Sequence, residues 1–470
     1  MKTKSQKILY FIITVLSSFD ILIHTKTLSK IVVRLIEFIL GRKSADENVL
    51  VNTICELVDA YLGVAIIIAI SFFVFKKRKD IYFVLITIYC FVISMIGINK
   101  AIVFHGFMAE FDFTDFILPV QSGYGTLYGT NYPPIAVCIF KFFHNFIANK
   151  EDIFYITNCV MYFSILALIL SVFLMFFFMY SQRQETINIK QALGFSILMM
   201  ITGPLIFVFE RMNLAIIAFV LTGYYLMGYE SENKYQRHLA LLALALAANI
   251  KYYPAIYGLL LVKKNRWRDS IIVFFEGTVL FFIPYFFNEI FGDNKYNGAK
   301  TTNIVANIYN STKGFSQSVV SYGYSIKSIY IDVCRKINIP GKALDFVYYA
   351  MLVIVILLII ICVCFTSQEV YSLVLLAFGC IFIPTVSYYY SFIYLLFPIV
   401  YLVRDRCIYN KMFDDVLLVA LTFLTAFAYI TPSIAPRIPR YVYSVIVLFV
   451  LCGKIVLNYI YRKLLQGDLQ

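Results

Sequence analysis

Apolar runs of about twenty residues recur along the chain, and no other feature restricts its fold as strongly. The stretch at 353–365, for example, reads VIVILLIIICVCF. Of the 470 residues, 61% are hydrophobic and 14% are charged, and the mean hydropathy is +0.81. Ordinary soluble domains do not approach this composition. The sequence therefore predicts an all-α integral membrane protein built as a polytopic helix bundle.

The formal net charge of +13 would suggest nucleic-acid binding in a soluble protein. Here the Lys and Arg residues lie mostly in short clusters between apolar runs, where membrane topology and anionic lipid head groups account for them. We therefore expect membrane lipids, and no nucleic acid, as partners. The ten cysteines and four histidines show no ligand spacing. The sequence thus predicts no cofactor and no metal site, and it leaves the metal requirement of any reaction open.

About twelve spans result when the basic clusters are kept on the cytoplasmic side. They lie near 8–24, 54–75, 81–104, 153–180, 192–209, 213–229, 269–289, 343–365, 369–384, 388–403, 413–431 and 441–461. This arrangement puts KKRKD (76–80) and KKNRWR (263–268) inside. It puts the two long polar loops, 105–152 and 291–340, outside.

One apolar segment, between SENKYQRH and KKNRWR, has basic residues at both ends and is interrupted by Lys251 and Pro254. A single crossing here would move every later basic loop to the outside. We therefore predict a re-entrant helix pair, with NIKYYP (249–254) at its tip. Broken helices at membrane depth occur where they line a cavity in the protein.

The stretch DFTDFILPVQSGYGTLYGTNYPP (112–134) is too polar to span a bilayer. An aspartate just outside a span and beside a cavity can act as a general base, and Asp115 has this position. The alternative is that Asp115, Asp112 and Glu110 are solvated loop charges. The tract NYPP (131–134) predicts the start of a helix, because proline suits the first helical turn.

Two cations are placed to meet an anionic group. Arg211, in FERMN (209–213), can present a guanidinium to a phosphate, or it can form a local interfacial anchor with Glu210. Lys251, at the tip of the re-entrant pair, needs a counter-charge or water unless it extends to the surface. Gln317 lies in an external loop rich in hydroxyls and amides, which suits sugar hydroxyls and any exposed loop alike.

The order of these pieces resembles glycosyltransferase family 87 of the GT-C superfamily, over roughly residues 95–405. The matching positions are Asp115, Phe116, Tyr128, Tyr132, Pro133, Pro134, Glu210, Arg211, Asn213, Lys251, Tyr253 and Pro254. There are two departures. Met212 stands where glycine is usual, and Tyr388, Tyr389 and Tyr390 follow Ser387 where many members have Trp and His. The resemblance implies a transferase core at 81–470, preceded by additional spans at 1–80.

The resemblance also implies a reaction. A hexose, most often mannose, moves with inversion from a polyprenyl-phosphate sugar to a lipid-linked or glycan acceptor. The active site would face the extracytoplasmic side of a bacterial cytoplasmic membrane. Asp115 would be the base, with Asp112 as the second candidate. The phosphate ligands would be Arg211, Lys251 and Tyr390. The cavity would be lined by Tyr128, Tyr132, Glu210, Asn213, Tyr253 and Gln317. The alternative is a lipid-linked-oligosaccharide flippase, a polymerase or another polytopic transporter.

Overall fold

The structure of the protein is a computed structural model. It describes residues 114–121, 132–146, 169–174, 176, 192–194, 196, 199, 202–286, 323–337, 342–406, 412–426 and 437–467. Within these ranges the elements are helices, with no strand, which confirms the predicted all-α class for this part of the chain. The region 1–80 and much of the two long loops lie outside the described residues. So do three of the predicted site residues, namely Asp112, Tyr128 and Gln317.

The first two helices form a small unit that carries Asp115. Helix α1 spans Thr114–Gln121, and helix α2 spans Pro134–Phe146. Helix α2 begins at Pro134, as the NYPP tract predicted. The Phe116 ring meets the Phe140 ring edge-on, with centroids 5.5 Å apart. This aromatic contact packs α1 against α2.

The next two helices are joined by a tight link. Helix α3 spans Gly203–Arg211, and helix α4 spans Ala215–Gly228. The backbone N–H of Asn213 donates to the Val208 carbonyl at 3.1 Å, which closes the end of α3. The link therefore places Arg211 and Asn213 on either side of a sharp change in chain direction.

Helix α5 spans Lys234–Ile250 and is followed by a 3₁₀ helix at Tyr253–Gly258 and by helix α6 at Leu259–Lys263. Helix α7, at Trp267–Phe286, follows directly. The side chains of Lys264 and Glu230 form an ion pair at 2.8 Å, so the two ends of this segment meet. The chain therefore reverses near Lys251, as the charge pattern predicted. Its depth in a membrane stays a prediction.

The centre of the bundle is formed by helix α10. Helices α8, α9 and α10 span Ile326–Ile337, Lys342–Phe365 and Glu369–Phe382. Every residue of α10 from Val370 onward is buried. A helix that is apolar on all sides and enclosed by others belongs to the interior of a large bundle.

The last elements complete the bundle around α10. A 3₁₀ helix at Tyr389–Leu395 leads into helix α11 at Leu396–Arg406. Helices α12 and α13 span Met412–Ala426 and Arg437–Gly467. The Tyr389 hydroxyl donates to the Leu424 carbonyl at 3.2 Å, which fastens the 3₁₀ helix to α12.

In the described part of the chain, two helices are long and apolar enough to cross a bilayer: Val347–Phe365 within α9 and Tyr441–Leu464 within α13. Both expose large apolar side chains, such as Ile354 and Leu457, which is favourable against lipid. The predicted spans at 213–229, 369–384 and 388–403 coincide with shorter apolar helices. The count of about twelve spans stays a prediction.

A small apolar cluster lies beside the main core and is built from α1, α2, α4, α5 and the link after α3. Its buried members are Phe116, Val120, Ala136, Phe140, Met212, Leu214, Ala218, Ala247 and Ile250. Phe116 follows Asp115 in the chain, Met212 follows Arg211, and Ile250 precedes Lys251. The cluster thus packs together the segments that carry three predicted site residues.

Candidate active site

Asp115 is held by two side chains that lie almost one hundred residues further along the chain. Arg211 Nη2 donates to Asp115 Oδ1 at 2.6 Å, and Asn213 Nδ2 donates to Asp115 Oδ2 at 2.9 Å. Each carboxylate oxygen therefore accepts one bond. Hydrogen bonds between charged partners are the shorter and stronger ones in proteins. We call Asp115, Arg211 and Asn213 the carboxylate clamp.

The clamp is partly shielded from solvent. The Asp115 side chain is 15% exposed, and the Arg211 side chain is 28% exposed. Asp115 is therefore not a solvated loop charge, and Arg211 pairs with it across the fold. A carboxylate has about four lone-pair sites, so Asp115 keeps sites free to accept a proton from a substrate hydroxyl.

Lys251 lies beside the clamp, in the turn between the two arms of the reversed segment and outside the predicted spans. It is 9% exposed, so its side chain does not extend to the surface. Its Nζ lies 4.5 Å from the centre of the Tyr132 ring and 5.7 Å from the centre of the Tyr390 ring. Burial lowers the pKa of Lys251 to about 8, against the opposing effect of the Asp115 charge.

The three consecutive tyrosines have three different environments. Tyr390 is buried, with its ring stacked 6.2 Å from that of Phe207 and its face toward Lys251. Tyr389 is occupied by its bonds to the backbone of α12. Tyr388 is only partly buried and lies close enough to Arg211 and Asp115 to interact with their charges. Tyr390 also lies within reach of these two charges, and Tyr388 is the more exposed of the two.

Tyr388 and Met212 are site residues that the sequence did not single out for a role. Met212 adopts a φ of 52°, in the left-handed region that glycine occupies without a steric penalty. The departure from glycine seen in the sequence therefore falls at a backbone position that favours glycine. The signal was present in the FERMN tract, but its conformational meaning needed the structure.

Other predicted residues are less directly placed. The Tyr253 ring packs edge-on against Tyr394 in the main core, with centroids 5.5 Å apart. Its described contact is therefore with the core. Glu210 lies in the last turn of α3, and nothing is described of its side chain. Among the described residues, no group of three or more His, Cys, Asp or Glu side chains is placed to hold a metal ion.

An apolar groove of about 430 Å³ lies between α5, the 253–258 helix, α6 and α7. This volume is within the range of about 300–1,000 Å³ that is typical of ligand pockets. Its lining includes Ala248, Asn249, Tyr252, Gly277 and Phe281. Asn249 and Tyr252 flank Lys251 in the chain, so the groove runs next to the turn that carries this cation.

The sequence model of glycosyltransferase family 87 matches residues 130–387, which is more than half of the chain. The match begins after Asp115 and includes Tyr132, Arg211, Asn213 and Lys251. No curated protein and no solved structure matches the chain significantly. The chain belongs to glycosyltransferase family 87, and the protein is a glycosyltransferase.

Proposed function

We propose that the protein transfers a hexose from a polyprenyl-phosphate sugar to a lipid-linked or glycan acceptor, with inversion at the anomeric carbon. Mannose is the first sugar to test. One observation carries the proposal: the fold gathers one carboxylate and two cations, Asp115, Arg211 and Lys251, from three distant parts of the chain. An acid–base group next to two cations suits transfer away from a phosphate.

In the proposed reaction, the oxygen of an acceptor hydroxyl attacks the anomeric carbon while Asp115 takes the hydroxyl proton. The bond between the anomeric carbon and the phosphate oxygen breaks, and its electron pair stays with the phosphate. A phosphodiester with one negative charge thereby becomes a phosphomonoester with two. A positively charged transition state at the sugar is also favoured by a nearby carboxylate.

The clamp suits this redistribution of charge. Before transfer, Asp115 neutralises Arg211 through their short ion pair. Once Asp115 has accepted the proton, it no longer neutralises Arg211, and the two cations together match the two charges of the departing phosphate. Fixed donors aimed at developing charge lower the barrier without reorganisation. Tyr388 can add a hydroxyl donor beside Arg211.

The groove beside Lys251 supports a donor with a lipid chain. Its lining is mostly apolar, which favours an isoprenoid tail over a nucleotide. Lys251 is 9% exposed and faces aromatic rings, so a phosphate reaching it from the groove would be its natural counter-charge. Lys251 and Arg211 do not themselves line the groove, so the proposal requires the donor phosphate to reach past the turn at 249–252 to meet the two cations.

The basic ends of α5 and α6 support an extracytoplasmic site. Lys264 and Arg266 follow α6 in the chain but lie near the residues that precede α5. Lys264 forms an ion pair with Glu230, and Arg266 donates to the Tyr229 carbonyl. Lys251 lies at the other end of this 17-residue helix, roughly 25 Å away at 1.5 Å per residue. If the basic ends are cytoplasmic, the clamp faces the outer side. We propose the bacterial cytoplasmic membrane as the location.

The test is transfer by the purified protein in vesicles supplied with polyprenyl-phosphate [¹⁴C]mannose and a membrane glycolipid extract as acceptor. We expect label to enter the acceptor fraction, and we expect GDP-[¹⁴C]mannose to give none in vesicles without polyprenyl phosphate. Parallel donors carrying glucose or galactose identify the sugar. Transfer from the nucleotide sugar alone would contradict the proposed donor class.

A further inference from the structure

Met212 occupies an unusual backbone conformation directly between the two donors of the clamp. Among the described residues other than glycine, a positive φ occurs at Met212 (52°) and Asn265 (56°). Side chains rarely adopt this region because the Cβ atom crowds the following carbonyl oxygen. Such a conformation persists only where the surrounding structure holds it, and it is common at functional sites.

The backbone of Met212 has a direct geometric consequence. Helix α3 ends at Arg211, and the N–H of Asn213 turns back to the Val208 carbonyl at 3.1 Å. This is the hydrogen bond of a helix end that is closed by one left-handed residue. The side chains before and after Met212 then reach opposite oxygens of one carboxylate, that of Asp115.

The side chain of Met212 has a second effect. It is 3% exposed and lies in the small apolar cluster with Phe116 and Ile250. These residues are the chain neighbours of Asp115 and Lys251. The Met212 side chain therefore packs with the segments that carry the base on one side and the second cation on the other.

We propose that Met212 is the positioning residue of this site. Its left-handed backbone directs Arg211 and Asn213 onto Asp115, and its buried side chain sets the spacing between the clamp and Lys251. Met212 touches no reacting atom in this account. The inference rests on the proposed function where the consequence is catalytic, and on the fold alone where the consequence is the geometry of the turn.

Two substitutions separate these effects. Met212→Ile keeps an apolar side chain of similar size but disfavours the left-handed backbone, because β-branched residues fit it poorly. It should lower kcat by about tenfold or more, because Arg211 and Asn213 leave the Asp115 carboxylate, and it should raise the donor KM less than Met212→Gly does, because Lys251 stays in place. Met212→Gly keeps the turn and removes the side chain. It should leave kcat near that of the wild-type protein and raise the donor KM, because the distance between Lys251 and the clamp is no longer fixed.

Asn265 provides the matched control, since it has the other positive φ and lies in the loop between α6 and α7. Asn265→Ile should leave both kinetic constants unchanged. In an Asp115→Asn background, Met212→Ile should cause little further loss, because the clamp has already lost its carboxylate. Equal effects at Met212 and Asn265, or a full additional loss in that background, would overturn the positioning role.

Hydrogen exchange separates this inference from the proposed reaction. Amides in a peptide covering residues 208–216 should exchange faster in Met212→Ile and at the wild-type rate in Met212→Gly. Unchanged exchange in Met212→Ile would overturn the inference whatever the enzyme transfers. Faster exchange in that variant, together with no transfer by the wild-type protein, would support the turn and reject the proposed function.

Discussion

At the scale of single residues, the side chain of Asn213 makes two hydrogen bonds that can be removed separately. Its Oδ1 accepts the backbone N–H of Ala215 at 3.0 Å, in the first turn of α4. Its Nδ2 donates to Asp115 at 2.9 Å. The first bond satisfies a helix-terminal donor, which is worth about 0.5–2 kcal/mol at such positions. The second bond belongs to the clamp.

We expect Asn213→Asp to keep the bond to Ala215 and to replace the donor to Asp115 by a second carboxylate, whose charge repels that of Asp115. Transfer should fall by roughly tenfold or more, as expected for about 1.4 kcal/mol or more of lost positioning. Asn213→Ala loses both bonds without adding a charge, and it should lower both transfer and the melting temperature. Transfer assays and thermal unfolding of both variants check this.

A matched control is Asn233→Asp. Asn233 also accepts backbone N–H groups at the start of a helix, those of Tyr235 and Gln236, but it is exposed and distant in the chain from the clamp. This variant should change neither the transfer rate nor the melting temperature. An Asn213→Asp protein as active as the wild type would show that the bond to Asp115 has no role in transfer.

The charge of Lys251 should make the donor KM depend on pH. Because burial lowers its pKa to about 8, its charge is present below that value and is lost as the pH rises through it. The donor phosphate keeps its charge over this range. The donor KM should therefore rise by about tenfold between pH 7 and pH 9. Steady-state kinetics at several pH values measure this rise.

Lys251→Arg is the control, because a guanidinium stays charged throughout this range. Its donor KM should be nearly constant between pH 7 and pH 9. A wild-type KM that does not change with pH would contradict phosphate binding by the Lys251 ammonium.

At the scale of the elements, the groove between α5 and α7 can be filled without disturbing the backbone. A Cβ atom added at Gly277 would lie 3.9 Å from Asn249 Nδ2, an ordinary contact distance. Gly277→Phe should therefore occupy the groove and raise the KM of a long-chain donor by roughly tenfold. Donors with a short isoprenoid chain should be affected less, and kinetics with the two chain lengths check the difference.

Gly453→Phe is the comparison for this variant. Gly453 lies in α13, and a Cβ added there meets no atom within 4 Å. It introduces the same apolar ring on another apolar helix. If both variants alter donor use equally, the groove is not the site of the lipid chain.

Local sequence signals were sufficient to predict the position of several elements. The Pro-Pro of NYPP predicted the start of α2, because the fixed φ of proline suits a first helical turn. The basic ends of the 234–263 segment predicted its reversal, since they had to lie together. The break near Lys251 and Pro254 was predicted, but the 3₁₀ form of residues 253–258 was not, because it depends on packing against neighbouring helices.

At the scale of the whole molecule, the reversed segment determines on which side of the membrane each later loop lies. Glu232 lies before α5, and Arg268 lies in the first turn of α7. In a cysteine-free background, Glu232→Cys and Arg268→Cys should both react with an impermeant maleimide only after the cells are permeabilised. Asn303→Cys, in the predicted external loop outside the described residues, should react in intact cells. Labelling at positions 232 and 268 from opposite sides would show that the segment crosses the membrane.

The site as a whole was only partly accessible from the sequence. The order of Asp115, FERMN and NIKYYP indicated which segments matter, and the structure brings residues of all three together. The pairing of Arg211 with Asp115 could not be read from their spacing, because contacts between distant residues depend on the packing of whole helices. The positive φ of Met212 and the different environments of the three tyrosines were likewise outside the reach of local patterns.

The role of Asp115 as the base is tested by the transfer rate of Asp115→Asn in vesicles with polyprenyl-phosphate mannose, compared with that of Asp112→Asn. Asparagine is close in size to aspartate but cannot take a proton from the acceptor. We expect a loss of about 10²–10⁴-fold in kcat for Asp115→Asn and near wild-type transfer by Asp112→Asn. Transfer retained by Asp115→Asn, or lost only in Asp112→Asn, would contradict the role of Asp115 as the base.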